Sequence, residues 1–188
     1  MRIISGKARG TKLYSLEGST TRPTLDRVKE SLFNIIQNRV PECTFLDLFS
    51  GSGAIGLEAA SRGANKTILC EKNKAAISII KKNIEKTHLE DKVKLYENSY
   101  ENLLNTINEK FDIIYIDPPY KTDFAYEATK LILKNNLLNE KGTIIIETDE
   151  EERITKQIEN FKEIKIIDKR KYGRAHIIFL KKMNGKEE

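Results

Sequence analysis

Thr44-Phe45-Leu46-Asp47-Leu48-Phe49-Ser50-Gly51-Ser52-Gly53-Ala54-Ile55-Gly56 is the stretch whose reading decides the fold. Thr44 to Phe49 is an apolar run interrupted by one acid, as in a buried strand. The glycines that follow let the chain turn sharply. Ile55 through Ser61 reads as a helix that stops near Gly63. Lys66 to Glu71 is the next strand, closed by an acidic residue. Strand, glycine loop, helix, strand and terminal acid make one βαβ unit. Gly51-x-Gly53-x-x-Gly56 matches the dinucleotide fingerprint, and Glu71, about 20 residues on, stands where that fingerprint places its ribose acid.

The alternation continues downstream. Lys74 to Lys86 reads as a helix with Ala76, Ile77, Ile80 and Ile84 inward. Lys92 to Tyr96 is a third strand with Asn98 and Ser99 at its end. Leu103, Leu104 and Ile107 mark a helix, Phe111 to Ile116 a strand, and Phe124, Ala128, Leu131 and Ile132 another helix. The strand Gly142 to Thr148 and a polar helix from Glu151 to Phe161 follow. The last strands, Glu163 to Lys171 and Ala175 to Lys181, are joined by Tyr172-Gly173-Arg174, a connection short enough for an antiparallel pair at the sheet edge. The prediction is an α/β protein with a doubly wound, mostly parallel sheet and an antiparallel C-terminal edge hairpin.

Upstream, Arg2 to Ser5 and Thr11 to Leu16 flank Gly6-Lys7-Ala8-Arg9-Gly10, which predicts two short strands around a basic turn. Thr24 is the expected N-cap of a helix running to about Arg39, with Val28, Leu32, Ile35 and Ile36 on its inner face. The expected organisation is a single domain over 1–188. It comprises an N-terminal extension of a small β-hairpin and a helix (1–40), a core (41–183) and a polar tail (184–188).

With 188 residues, 39% hydrophobic and 32% charged, the chain can bury one core beneath a highly charged surface. A net charge of +5 suits an anionic partner such as nucleic acid, although many lysines lie on solvated helix faces. Cys43 and Cys70 lie in or beside apolar runs and read as buried free thiols of a reducing cytosol. There is no Cys/His cluster for a metal. Met1 to Lys7 lacks the apolar core of a signal peptide, and no apolar run approaches membrane-spanning length, so a cytoplasmic protein with no membrane partner is expected. His88 and His176 read as surface or strand residues.

Asp117-Pro118-Pro119-Tyr120 follows the strand Phe111 to Ile116. Neither proline can donate to a sheet ladder, so the strand must end there on a stiff ledge. Asp117 and the Pro118 carbonyl supply acceptors and Tyr120 a flat face, which suits a planar base with an exocyclic amino group. Taken alone, the four residues equally describe a strand-ending turn with a packed tyrosine. The glycine fingerprint alone also leaves a nicotinamide dinucleotide and S-adenosylmethionine open. Three features favour S-adenosylmethionine. Asp47, just before the glycines, repels a pyrophosphate and attracts an ammonium group. Asn98 and Ser99 offer polar contacts for an adenine edge. The ledge supplies a second site for an amino-bearing acceptor.

With these residues in place the chain resembles the class I, Rossmann-like methyltransferases, and among them the RsmD family of bacterial 16S rRNA guanine-N2 methyltransferases. The resemblance runs almost end to end. It is carried by Met1 to Gly6 with the basic turn, Arg22-Pro23-Thr24 with Asp26 to Asn34, Leu46 to Gly53, Ser61-Arg62-Gly63-Ala64, Asp117 to Tyr120 and Lys171-Tyr172-Gly173. Asp117 to Tyr120 is shared with adenine-N6 and glutamine-N5 enzymes; the combination with the N-terminal segment is what is specific. One departure is Ser99, where many relatives have Asp as an adenine contact.

The resemblance implies transfer of a methyl group from S-adenosylmethionine to N2 of a guanine in 16S rRNA, in the small ribosomal subunit or an assembly intermediate; a monomer is expected, although nothing in the sequence fixes the oligomeric state. The implied catalytic residues are Asp117, Pro118 and Tyr120. Asp47, Gly51, Ser52, Gly53, Glu71, Asn98 and Ser99 would hold the cofactor, and Arg2, Lys7, Arg9, Arg22, Thr24 and Arg27 the RNA; no metal is expected. Competing readings are an adenine-N6 methyltransferase on DNA or RNA, a non-catalytic rRNA-binding assembly factor and, third, a nicotinamide oxidoreductase.

Overall fold

The structure, a computed structural model, describes residues 1–16 and 23–183, and only the backbone of Pro23, Thr24 and Leu25. Arg22, the Thr24 side chain and the polar tail therefore lie outside the described residues. Strand β1 (Thr44–Asp47) is central. It runs parallel to β2 (Lys66–Glu71) on one side and to β4 (Phe111–Ile116) on the other. Outside β2 lies β3 (Val93–Glu97), and outside β4 lies β5 (Leu138–Thr148), both parallel. Antiparallel β7 (Ala175–Lys182) comes next and β6 (Ile164–Tyr172) forms the edge. The order β3-β2-β1-β4-β5-β7-β6 reverses direction between β1 and β4, which opens a crevice at the C-terminal ends of those two strands. The predicted hairpin is present, but only its first strand is an edge; the second pairs with β5. Strand β5 begins before Gly142 because Leu138 pairs with Phe111 across a register irregularity.

Successive side chains of a strand point to opposite faces. Leu46, Ile114, Ile144 and Ile146 pack on one face against α4 (Tyr100–Thr106), α5 (Phe124–Lys134) and α6 (Glu151–Ile158). Phe45, Ile113, Tyr115 and Ile145 pack on the other against α1 (Pro23–Ile36), which a short 3-10 turn, Gln37–Arg39, follows. Helix α1 starts at Pro23, where a proline's missing N–H costs nothing. Its inner stripe is Val28, Leu32, Phe33 and Ile36, not the expected Ile35, which is 42% exposed. The buried arc also takes in Lys29, so it is rotated past Ile35.

The N-terminal segment forms a hairpin with one bridge, Arg2 to Lys12, in place of two full strands. Ile3 N and Leu13 N pair across the hairpin with the Thr11 and Met1 carbonyls, while the turn between them is committed to α2 (Ala54–Ser61). Lys7 N donates to the Ser61 carbonyl (2.8 Å), and Gly6, at φ +84°, sits so close that a Cβ there would lie 1.7 Å from the same oxygen. Ile3, Ala8 and Leu13 bury themselves against Ala54, Leu57 and Ala60. Glu58, fully buried in α2, accepts from Ile4 N (2.8 Å), Ser5 N (3.0 Å), Lys29 Nζ (2.9 Å) and Arg62 Nε (2.7 Å). One carboxylate thus joins the hairpin, α1 and α2 and serves two cations, one on each oxygen. Cys43 and Cys70 are buried free thiols, and burial pushes both up to about 12. Among the described residues no helix is long and apolar enough to cross a membrane.

Candidate active site

The crevice is floored by the glycine loop between β1 and α2. Gly51 (φ +54°) and Gly53 (φ +78°) occupy the left-handed region, where a side chain would be strained. Gly56 lies so near β2 that a Cβ would meet Leu69 Cδ2 at 2.1 Å, so helix and sheet close up only over glycine. Gly51 N donates to Glu71 Oε2 (2.9 Å), while Glu71 Oε1 accepts from Lys72 N and Asn73 N. The acid at the end of β2 therefore braces the loop and keeps lone pairs for a ligand. From α3 (Lys74–Thr87), buried Asn83 donates to the Ser52 and Tyr14 carbonyls and accepts from Tyr14 N (2.8 Å). The loop and the segment after the hairpin are clamped by one amide.

Two adjoining cavities share Phe49, Gly51 and Asp117. The first, about 370 Å³, is bordered by Glu71, Asn98, Pro118 and Tyr120. Its apolar wall is a cluster of Phe49, Tyr100 and Phe124, whose ring centroids lie 5.1–6.3 Å apart. Tyr120 is 69% exposed at the rim. The second cavity, about 330 Å³, is bordered by Lys29, Asp47, Ser52, Tyr115 and Glu147, and by Met1, Ser15 and Leu16 of the N-terminal segment.

The second cavity is acidic. Asp47 is 1% exposed, and its carboxyl is pushed up to about 7. Burial is the main cause and Glu71 adds to it, against the bond that Oδ2 accepts from Gly56 N (3.0 Å). Asp117 is open to the crevice yet stands well above the ordinary aspartate range. Burial among the strand ends raises it most, tempered by that open side, and the like charges of Glu147 and Asp47 raise it further. Lys29 borders the cavity, but Glu58 and the Arg2 carbonyl hold its ammonium. The cavity is thus prepared for a cationic guest.

The crevice brings together Asp47, Gly51, Ser52, Glu71, Asn98, Asp117, Pro118 and Tyr120. Gly53 is at the start of α2, beneath the loop. Ser99 Oγ caps α4 by accepting from Asn102 N (3.3 Å), and of the two residues at the β3 end it is Asn98 that borders the cavity. Arg2, Lys7, Arg9 and Arg27 are exposed outside the crevice on the hairpin and α1. Sequence reasoning passed over Glu147, Tyr115, Lys29, Glu58 and Asn83. Glu147 had a signal, an acid closing an apolar strand as Glu71 does. So did Glu58, a lone acid in an otherwise small and apolar helix. Lys29 and Asn83 look like any other polar helix residue until the packing is known.

Residues 1–181 match the family model described as Conserved hypothetical protein 95. The ribosomal RNA small subunit methyltransferase D of Haemophilus influenzae is 37% identical over 80% of this chain and 80% of its own. The chain belongs to the RsmD family. The Escherichia coli (strain K12) protein of the same name is 33% identical over 80% of this chain and 76% of its own. A solved Escherichia coli structure aligns over 97% of each chain with a TM-score of 0.82 and 28% identity. The RsmD match spans both the N-terminal hairpin and the crevice, so the segment that borders the second cavity lies within the family's own boundaries.

Proposed function

We propose that this protein uses S-adenosylmethionine to methylate the exocyclic N2 of a guanine in 16S rRNA, acting as a monomer on the small ribosomal subunit or an assembly intermediate. The observation that carries this reading is the placement of Asp117-Pro118-Pro119-Tyr120 along the first cavity beside Gly51 of the glycine loop, with Asp117 bordering the second cavity as well. The donor set fits the cofactor. A buried acid at Asp47 suits an ammonium group, Glu71 keeps lone pairs for ribose hydroxyls, and the Phe49, Tyr100 and Phe124 wall with Asn98 suits an adenine. S-Adenosylmethionine, when bound, supplies a methyl group activated by its sulfonium.

The rest is the work of this chain. The guanine amine is a poor nucleophile because its lone pair is delocalised into the ring. Asp117 and the Pro118 carbonyl accept its hydrogens, favour a pyramidal nitrogen and stabilise the positive charge that develops there. Tyr120 stacks on the extruded base and holds it in line, so positioning supplies much of the rate. Arg2, Lys7, Arg9, Arg22 and Arg27, with Thr24, grip the surrounding RNA backbone. Incubating the protein with S-adenosylmethionine and small-subunit rRNA or subunits, then digesting to nucleosides for mass spectrometry, should yield N2-methylguanosine. N6-methyladenosine would replace the guanine reading, and no methylated nucleoside would defeat the reading altogether.

A further inference from the structure

The parallel register of β4 and β5 sets Tyr115 beside Ile145 and Ile116 beside Ile146. One step beyond, at the two strand ends, stand Asp117 and Glu147. Residues two apart on a strand share a face, so Tyr115, Asp117 and Glu147 lie on one side of the sheet. All three border the second cavity with Asp47. Buried Tyr115 donates its hydroxyl to Glu147 Oε2, fixing that side chain at its strand end. The charged groups around the pair are occupied elsewhere. Lys29 of α1 is held by Glu58 (2.9 Å). Arg153 of α6 is held by Asp123 (2.6 Å) and Glu150 (2.7 Å). His176 of β7 pairs with Thr148 while Glu147 pairs with Ile177, so His176 lies on the other face of the sheet from Glu147. Among the described residues neither Asp117 nor Glu147 has an ion-pair partner. Two carboxylates so placed repel one another, and each is harder to ionise for the other's presence.

Methylation of the amine releases a proton that needs an acceptor, and Glu147 and Tyr115 stand beside the one carboxylate that, among the described residues, borders both cavities. We propose that Glu147 is a positioning residue for methyl transfer. Held by the Tyr115 hydroxyl one strand away from Asp117, it makes Asp117 the base that removes the proton from the attacking amine. This rests on the methyltransferase reading. In the transfer, nitrogen forms its bond to the methyl carbon, the carbon–sulfur bond breaks with its electron pair left on sulfur, and the surplus proton passes from nitrogen to Asp117 and then to water. An ordinary surface aspartate is a weak base for this task. One raised by a fixed neighbouring charge is closer to the operating pH, where general bases work best. The upward displacement of Asp117, caused by burial first and Glu147 second, is in the direction required.

Two measurements on the full chain test this. The first needs neither cofactor nor substrate: the Asp117 carboxyl is titrated by carbon NMR. Its midpoint should fall toward the ordinary aspartate range in Glu147→Gln, which keeps the shape and the Tyr115 bond, and should stay raised in Glu147→Asp, which keeps the charge. An Asp117 midpoint unmoved in Glu147→Gln overturns the proposal. The second is single-turnover methylation of small-subunit rRNA against pH. Glu147→Gln should slow the plateau by roughly 10-fold and move the acid limb to lower pH, with any loss of cofactor affinity smaller than the loss of rate. A loss of activity that follows cofactor affinity, with the limb in place, also overturns it. A wild-type protein that methylates nothing would defeat the function on which the proposal rests, while the titration would still report whether the two carboxylates are paired.

Discussion

Asp117 and Tyr120 should matter to methyl transfer far more than to cofactor binding, because in the proposed reaction both contact the acceptor. A bond that strengthens as charge develops is lost mainly from kcat. Asp117→Ala should cost roughly 10²–10³-fold, in line with single preorganised polar groups. Asp117→Asn keeps an acceptor of the same shape but cannot take the proton, so it should retain only the part of the activity that hydrogen-bond acceptance supplies. Tyr120→Phe should be mild, and Tyr120→Ala should lose about 1–3 kcal/mol of base binding. If both alanine variants turned over rRNA like the parent, the site would have to lie elsewhere. Asp47 makes a prediction about pH. Burial pushes its carboxyl up to about 7 in the folded protein, from an ordinary value of 3.8. The folded protein therefore prefers it protonated. That contribution is complete below pH 3.8 and is lost as pH rises through 7. Without cofactor, the wild type should lose on the order of a few kcal/mol between pH 4 and 8 that Asp47→Asn does not. Parallel urea-denaturation profiles for the two proteins would show that Asp47 is not the group responsible.

Among the elements, the hairpin is the one whose character the packing changed. From its sequence it is a basic turn between two strands. In the structure it is held through Glu58, Ser61 and Asn83 against α2, α3 and the glycine loop. Glu58→Ala would strip two cations and two backbone N–H groups of one buried partner. It should destabilise the protein by about 3–5 kcal/mol, seen as a lower denaturation midpoint. Gly6→Ala is the more selective probe. The added Cβ cannot coexist with the Ser61 carbonyl, so the hairpin must lift from α2 while the sheet stays folded. RNA affinity should then fall, with a smaller effect on a cofactor that contacts mostly the loop and the β2 and β3 ends. Unchanged RNA binding in Gly6→Ala would remove the hairpin from the docking surface.

For the whole molecule, the crevice at the switch between β1 and β4 means that one ligand ties together the two halves of the sheet. S-Adenosylhomocysteine at about 100 times its Kd should add about 2.7 kcal/mol, raising Tm by roughly 5–10 °C at this chain length, and NAD should add nothing. A thermal shift with NAD and none with S-adenosylhomocysteine would return the crevice to the oxidoreductases. If the exposed Arg2, Lys7, Arg9 and Arg27 neutralise phosphates as proposed, RNA affinity should fall steeply with salt, whereas cofactor affinity should barely move.

The chain by itself determined the parallel part of the sheet. Thr44 to Gly56, Lys66 to Glu71 and Phe111 to Tyr120 carry their periodicity and their breakers in adjacent residues, and hydrophobic alternation and proline or glycine chemistry act locally. For the same reason the residues at the strand ends, Asp47, Glu71, Asn98 and Asp117, could be placed at one crevice from topology alone. What needed the tertiary structure was every interaction between elements far apart in sequence. Ile35 and Phe33 exchanged places because the sheet, not the helix, sets which arc of α1 is covered. The second strand of the closing hairpin went inside the first because β5 had an edge to fill. Lys29 met Glu58, Asn83 met Ser52, and Glu147 came to stand beside Asp117 only when helices and strands had packed. A polar side chain carries no mark of its partner until burial removes the water that would otherwise satisfy it.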